Sequence, residues 1–209
     1  QINDLEIIFS HARIMRPEAE RADINWKDIE AYLQKMLKTK KKISRVEAYD
    51  ISNIQGIEST GSMPVFIGGK PAKQHYKKFK VHITGKPNDF AMMEEVLTRR
   101  LTHKEWGYPD LIIIDGGKGQ LTAALRALRK SQASSNKSQA NPKSQISKIH
   151  VAAIAKKNNE LFLPGKSEPL LLRDMPQPVS NLILHIRDEA HRFAITYHRK
   201  LRKKELLKK

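Results

Sequence analysis

Residues 109–121 read "PDLIIIDGGKGQL". The run Leu111–Ile114 is continuously apolar rather than alternating, which is the pattern of a strand buried on both faces. It stops at a carboxylate, Asp115, and a glycine-rich turn carrying Lys118 follows at once. An apolar pattern from Gln120 to Arg129 then predicts a helix. Glycine-rich turns after strands usually cradle phosphate through backbone N–H groups. A carboxylate there repels phosphate, so Asp115 and the glycines together ask for a ligand that tolerates both.

Two nucleotide motifs fail on this stretch. A dinucleotide turn needs G-x-G-x-x-G, but Gly117-Lys118-Gly119 is followed by Gln120, Leu121 and Thr122. No segment fits the phosphate loop G-x-x-x-x-G-K-[ST]. Asp188-Glu189-Ala190-His191 spells a helicase box, yet it lies in an amphipathic helical pattern with no phosphate loop upstream. There is no cysteine, which excludes disulfides, thiolate metal sites and cysteine nucleophiles.

Upstream, "RVEAYDIS" from Arg45 predicts a strand with Val46, Ala48 and Asp50 on one face. "MPVFIGGKPAKQHYKKFKVHIT" from Met63 predicts a hairpin turning at Gly68-Gly69, with residues 77–84 as a third strand. "NDFAMMEEVLTRRL" predicts a helix capped by Asn88, with Phe90, Met93, Val96, Leu97 and Leu101 facing inward. Downstream, "KIHVAAIA" predicts a strand, and "ELFLPGKSEPLLLR" a second hairpin turning near Pro164-Gly165. From Pro176 a long helix carries the stripe Val179, Leu182, Ile183, Ile186, Ala190, Phe193, Ala194, Tyr197 and Leu201. This order, three antiparallel strands followed by β-α-β units, predicts an α/β fold of ribonuclease H-like type, with a mixed sheet and helices on both faces.

Residues 43–209 form the expected domain, and residues 1–42 a helical N-terminal appendage or remnant of a preceding region. Within the appendage, Asp23 or Asn25 caps a helix in which Trp26, Ile29, Leu33, Met36 and Leu37 share a face. The Ser/Gln/Asn/Lys-rich stretch 131–147 is expected to be a mobile loop. The opening "QINDLEIIFS" has no initiator Met, so an excised piece of a longer chain is expected.

Thirty-nine Lys and Arg against 22 Asp and Glu give a formal net charge of +17 over 209 residues. Such an imbalance favours a polyanionic partner, nucleic acid first and an anionic membrane surface second. No apolar stretch approaches the roughly 18 residues of a membrane span, and no signal peptide opens the chain, so a cytoplasmic protein is expected.

Asp50 and Asp115 each follow an apolar strand segment, where α/β sheets place ligand sites. Singly, either reads as a turn cap. Side by side, two carboxylates about 4 Å apart repel by roughly 4 kcal/mol at an effective dielectric of 20. A shared proton or a cation offsets that cost, and Mg2+ or Mn2+ suits oxygen ligands while leaving room for phosphate. His191 lies beside the apolar stripe on one flank with Arg187 and His198. It reads as a general acid or base, a metal ligand, or a half-buried structural histidine. Asp89 stands in the first turn of its helix, where negative charge is favourable in any case. Lys118, Arg187, Arg192, Arg199 and Lys200 are candidate DNA-backbone contacts, which would position DNA rather than read it.

The blocks "AYDISNIQG", "GKPAKQHYKKFKV", "NDFAMMEEVLTRR", "PDLIIIDGGKGQL" and "IRDEAHRFAITYHRKLR" together resemble the C-terminal nuclease half of the UvrC family, incision subunits of the bacterial excinuclease. The resemblance runs in unbroken order from about Arg45 to Lys204. It implies a divalent-metal-dependent DNA endonuclease that cuts 5′ to lesions in nucleotide excision repair. It implies Asp50, Asp115 and His191 as catalytic residues and metal ligands, with Asp89 as an additional family aspartate. It implies UvrB as a partner of the full-length protein, through a segment not visible here. The family's second nuclease, its helix-hairpin-helix module and its cluster cysteines find no match in these residues, so weak DNA binding is expected. Residues 1–42 match poorly. The rival reading is a catalytically silent basic nucleic-acid-binding module.

Overall fold

The structure, a computed structural model, describes residues 25–54, 57–82, 88–134 and 145–206, with side-chain surroundings for all of these but 52–54, 57–58, 134 and 197–206. A nine-stranded mixed sheet organises the chain. At its centre β1 (Arg45–Ile54) runs parallel to β6 (Leu111–Asp115), and β6 runs parallel to β7 (His150–Ala155). On its other side β1 meets a bent antiparallel partner made of β2 (Ile57–Met63) and β3 (Val65–Ile67). Pro64 separates the two pieces, and its carbonyl still accepts from Ala48 N–H. The third antiparallel strand is likewise split. β4 (Lys70–Pro71) pairs with β3 and β5 (Lys77–Lys80) pairs with β2, with a 3-10 turn at Lys73–His75 between them. Beyond β7, β8 (Glu160–Phe162) and β9 (Leu170–Leu171) extend the sheet antiparallel.

Among the described residues, four long helices cover the two faces: α1 (Trp26–Met36), α2 (Asp89–Thr102), α3 (Lys118–Ser134) and α4 (Gln177–Leu206). Pleating decides which side chains go where. Tyr49, Ile112, Ile114, Val151 and Ala153 point to α2 and α3, where Met93, Val96, Leu97, Ala124 and Ala127 close one core. Val46, Ala48, Leu111, Ile113, Ala152 and Ile154 point the other way, onto Ile29 and Leu33 of α1 and Val179, Ile183, Ile186 and Ala190 of α4. The unbroken apolar run in β6 is thereby explained, since both of its faces are buried.

The expected ribonuclease H-like architecture is present, with its details corrected. Strand β2 was not anticipated, because Gly61 and the small polar Ser59 and Ser62 lower its β character; pairing with β1 and β5 overrides propensity. The predicted strand 77–84 is ordered as strand only to Lys80, and residues 83–84 lie outside the described ones. Helix α3 starts at Lys118 rather than Gln120 and continues to Ser134, so the first four residues of the expected loop 131–147 are helical. Residues 135–144 of that loop lie outside the described residues. Phe90 is 49% exposed instead of core-facing, while the unpredicted Met92 and Arg100 are buried. Asn25, not Asp23, caps α1, accepting from Lys27 N–H at 3.2 Å. The Gly68-Gly69 turn is as expected, with φ of +57° and +78°, the pair of positive values a two-residue hairpin turn requires. Residues 1–24 of the expected appendage lie outside the described residues.

A charged cluster lies inside the first core. Glu47 and Arg100 are both fully buried and joined by two hydrogen bonds, Nε to Oε2 at 3.0 Å and Nη2 to Oε1 at 2.7 Å. Tyr49 Oη donates to Glu47 Oε2 at 2.8 Å, and Arg45 donates twice to Oε1. Arg100 also donates to the carbonyls of His103 and Gly107. Every polar group in the cluster therefore has a partner, which is the condition for burying charge.

Asp110, just before β6, clamps the entry to β1. Its Oδ2 accepts from Ser44 N–H and Arg45 N–H, each at 2.9 Å, and Oδ1 pairs with Lys41 at 2.8 Å. Burial opposes ionisation of Asp110, but the two amides and the ammonium outweigh it and hold the carboxyl below the ordinary range. A depressed carboxylate pKa means stability that is present at neutral pH and disappears as pH falls through the folded-state value. Asp110→Asn is expected to cost about 1–2 kcal/mol at pH 7. The urea midpoints of the two proteins should converge as the pH falls below the ordinary carboxylate range. A constant gap across pH would show that charge is not the cause.

Candidate metal centre

Asp50 sits within β1, not at its end, opposite Ser62 of β2. It shares a face with Val46 and Ala48, as expected, and that face meets α4. Asp115 is the last residue of β6, and the parallel pairing of β6 with β1 brings the two carboxylates toward one end of the sheet. His191 reaches them from α4. Its Nδ1 lies 3.1 Å from Asp50 Oδ2. One ligand atom from each of Asp50, Asp115 and His191 lies within 4.8 Å of the others, and this is the one such trio among the described residues. Two hard oxygen donors and one imidazole suit a divalent cation of the Mg2+ or Mn2+ kind.

Burial grades across the trio. The Asp50 and Asp115 carboxylates are both buried, with side chains 10% and 4% exposed, and the His191 ring is half-exposed. Burial raises the Asp115 pKa above its usual value, with Asp50 adding to the rise and Lys156 and His191 opposing it. Lys156 Nζ lies 3.0 Å from Asp115 Oδ2, within ion-pair range. Among the described residues, Lys156 is the one side chain that meets this buried oxygen, and the contact is poorly directed for a hydrogen bond. A buried carboxylate oxygen that faces a second carboxylate and is met only by an exposed lysine suits a cation ligand. The cleft over the site measures about 380 Å3 and is lined by Asp50, Ile51, Asp115, Gly116, Gly117, Ala155, Lys156 and Lys157.

The glycine turn works differently from a phosphate cradle. Gly116 N–H donates to Ile154 O at 2.9 Å, and Gly117 N–H to the Gln120 side chain at 3.1 Å. Both amides are spent inside the protein. Gly119 is small because the Phe90 ring lies where its Cβ would stand, 2.3 Å away. These glycines let α2 and α3 close behind the strand end and leave the carboxylate as the group presented to the cleft.

Residues 34–195 match the family model described as the UvrC RNAse H endonuclease domain. The chain belongs to that family. UvrABC system protein C of Methanosphaera stadtmanae is 43% identical over 187 residues, covering 84% of this chain and 29% of the relative. Its counterpart in Dictyoglomus thermophilum is 44% identical over 164 residues, covering 78% of this chain and 25% of the relative. That of Geotalea daltonii is 37% identical and covers 98% of this chain and 34% of the relative. The chain thus spans between a quarter and a third of the length of these relatives. Among solved structures, an endonuclease V of Ciona intestinalis aligns with 63% of this chain and 56% of its own at 14% identity, with a TM-score of 0.37. That likeness is too distant to transfer any residue's role.

In this UvrC RNase H domain the remaining predicted site residues are scattered. Asp89 is exposed in the first turn of α2, outside the trio. Lys118 Nζ donates to Ser167 O at 2.9 Å. Arg187 pairs with Asp188 and donates to Asn159 Oδ1, and Arg192 makes two 2.6 Å bonds to Glu189. Arg199 and Lys200 lie in α4, and their side chains fall outside the described ones.

Two groups of supporting residues escaped the sequence. Ser62 Oγ donates to Ala190 O at 3.0 Å, tying α4 to β2 one residue before His191. Buried Glu189 accepts from Tyr76 Oη at 2.9 Å and from Arg192. Burial works against its ionisation, yet Arg192 and Tyr76 prevail and keep its pKa low. Together they fix the turn of helix that carries His191. Lys156 is the other omission. Its only sequence signal was a lysine closing the apolar strand that pairs with β6.

Proposed function

We propose that the UvrC RNase H domain described here hydrolyses phosphodiester bonds of DNA with a divalent cation, and that it makes the 5′ incision at lesions within a longer excision-repair protein. The convergence of Asp50, Asp115 and His191 within 4.8 Å carries the reading. A net charge of +17 on the same chain supports a polyanionic substrate.

Asp50 and Asp115 would hold the cation, Mg2+ or Mn2+, with His191 as the third donor or proton carrier. A cation bound there supplies Lewis acidity toward a phosphate oxygen and a lowered pKa for a water. The chain's own groups do the rest. The walls of β1 and β6 fix both carboxylates, so little reorganisation is needed as charge develops. With Asp50 ionised, His191 Nδ1 donates to it, leaving Nε2 as a lone pair able to accept a proton and return it to the leaving oxygen. The lysine- and arginine-rich surface holds the DNA backbone, so affinity falls steeply with salt. Recruitment through UvrB belongs to the same proposal and involves chain outside these residues.

The test is nicking of lesion-bearing duplex DNA by the purified chain, and by a full-length relative carrying it. Cutting in Mg2+ or Mn2+ should vanish with EDTA and return when either ion is resupplied. Undiminished cutting in EDTA would refute the metal mechanism. DNA binding that is unaffected by metal, with no cutting under any condition, would favour the silent binding module.

A further inference from the structure

The Lys156 ammonium lies 3.0 Å from Asp115 in the mouth of the cleft, on a side chain 54% exposed. It belongs to the residue that follows the final strand position of β7, one strand over from Asp115. A lysine stem is long and rotatable, and its ammonium is a compact point charge with three donors. The pairing joins a half-exposed lysine to a buried carboxylate oxygen, and ion pairs of exposed lysines contribute little to stability. Such a contact is readily given up.

We infer that Lys156 is a placeholder cation, which neutralises Asp115 in the metal-free protein and is released by an arriving divalent ion to pair with a phosphate of the bound DNA strand. The inference rests on the metal-centre reading above. It solves a problem that reading creates, because two facing carboxylates need a counter-charge before metal binds. Lys156 supplies one at Asp115, while His191 contacts Asp50. Once the ion neutralises both acids, the ammonium is surplus at Asp115 and is within side-chain reach of the cleft that would hold the phosphate. Lys156 therefore positions DNA only when metal is present, coupling the two ligands.

Lys156→Met and Lys156→Arg, each checked for an unchanged thermal melt, test this with two readouts besides cutting. In calorimetry with Mn2+ and no DNA, Lys156→Met should bind the ion about fivefold tighter than wild type, since no exposed ion pair is forfeited. Lys156→Arg should behave as wild type. On duplex DNA with phosphorothioate linkages, which resist hydrolysis, Lys156→Met should bind about fivefold more weakly than wild type in saturating Mn2+ and equally without metal. Unchanged or weaker Mn2+ affinity in Lys156→Met overturns the placeholder role. So does a DNA-binding loss of equal size with and without metal. Asp50→Asn separates the two levels of argument: if it binds Mn2+ as wild type does, the metal centre itself is wrong, whatever Lys156 does.

Discussion

Replacing Asp50 or Asp115 with asparagine should slow DNA nicking by about three orders of magnitude while leaving the protein folded. A metal ion contributes several kcal/mol of charge stabilisation at a phosphoryl transition state, and about 4 kcal/mol corresponds to a thousandfold in rate. Asparagine keeps the shape and one oxygen but removes the charge that holds the ion. Folding should survive for a reason specific to each site. Asp115 has a raised pKa, from burial first and the Asp50 charge second. A raised carboxylate pKa means the folded state holds the proton more tightly than the unfolded state, so ionisation at neutral pH opposes folding. Asparagine at 115 does not carry that cost. Asp50 is buried but contacts the exposed His191, and its main-chain pairing with Ser62 does not depend on the side chain. His191→Ala should lose less, about a hundredfold, as fits a proton carrier. The measurement is single-turnover nicking with circular dichroism on each variant. A folded Asp50→Asn protein cutting at the wild-type rate would remove that residue from the chemistry.

The largest loss of stability is expected elsewhere. Arg100→Met should cost about 3–5 kcal/mol, because it strands the Glu47 carboxylate in a fully buried position. Glu47 would keep its bonds to Tyr49 and Arg45 but lose the only guanidinium beside it that is itself buried. The damage should spread. Arg100 also ties the His103 and Gly107 carbonyls, and with them the 3-10 turn at Lys104–Trp106 that leads into β6. Glu47→Gln should cost less than Arg100→Met, since an amide can still accept from the guanidinium. The double change Glu47→Leu with Arg100→Met should recover much of the loss, as apolar replacements of buried ion pairs usually do. Urea unfolding of these proteins, with Glu47→Leu alone to close the cycle, decides it. Additive losses in the double variant would mean that the pair does not act as a unit.

These two clusters also mark what could be read from the chain and what could not. Asp115 was legible because an apolar run ending in an acid is visible locally. Asp50 and His191 were legible singly from local pattern, and their partnership only through the family resemblance, since 141 residues separate them and α4 lying across β1 is what brings Nδ1 to Oδ2. The Glu47–Arg100 pair was invisible for the same reason. Arg100 reads as a polar helix residue, and its burial depends on Glu47 53 positions away. The glycine turn misled in another way. Its composition suggested amides open to a phosphate, whereas a strand carbonyl and the Gln120 side chain consume them.

By sequence alone the chain determined its layers: the helix order and most of the strands, the doubly buried β6, the hairpin at Gly68-Gly69, and the inward stripe of α4 from Val179 to Ala190, while Tyr197 and Leu201 of that stripe have side chains outside the described ones. Those follow from periodicity and backbone preference, which act over a few residues. Tertiary structure decided which polar groups were brought together. It buried Arg100, exposed Phe90, set Lys156 against Asp115 and tethered α4 through Ser62. Charge and hydrogen bonding act through space over a few ångströms, so their pairings exist only once distant segments have packed.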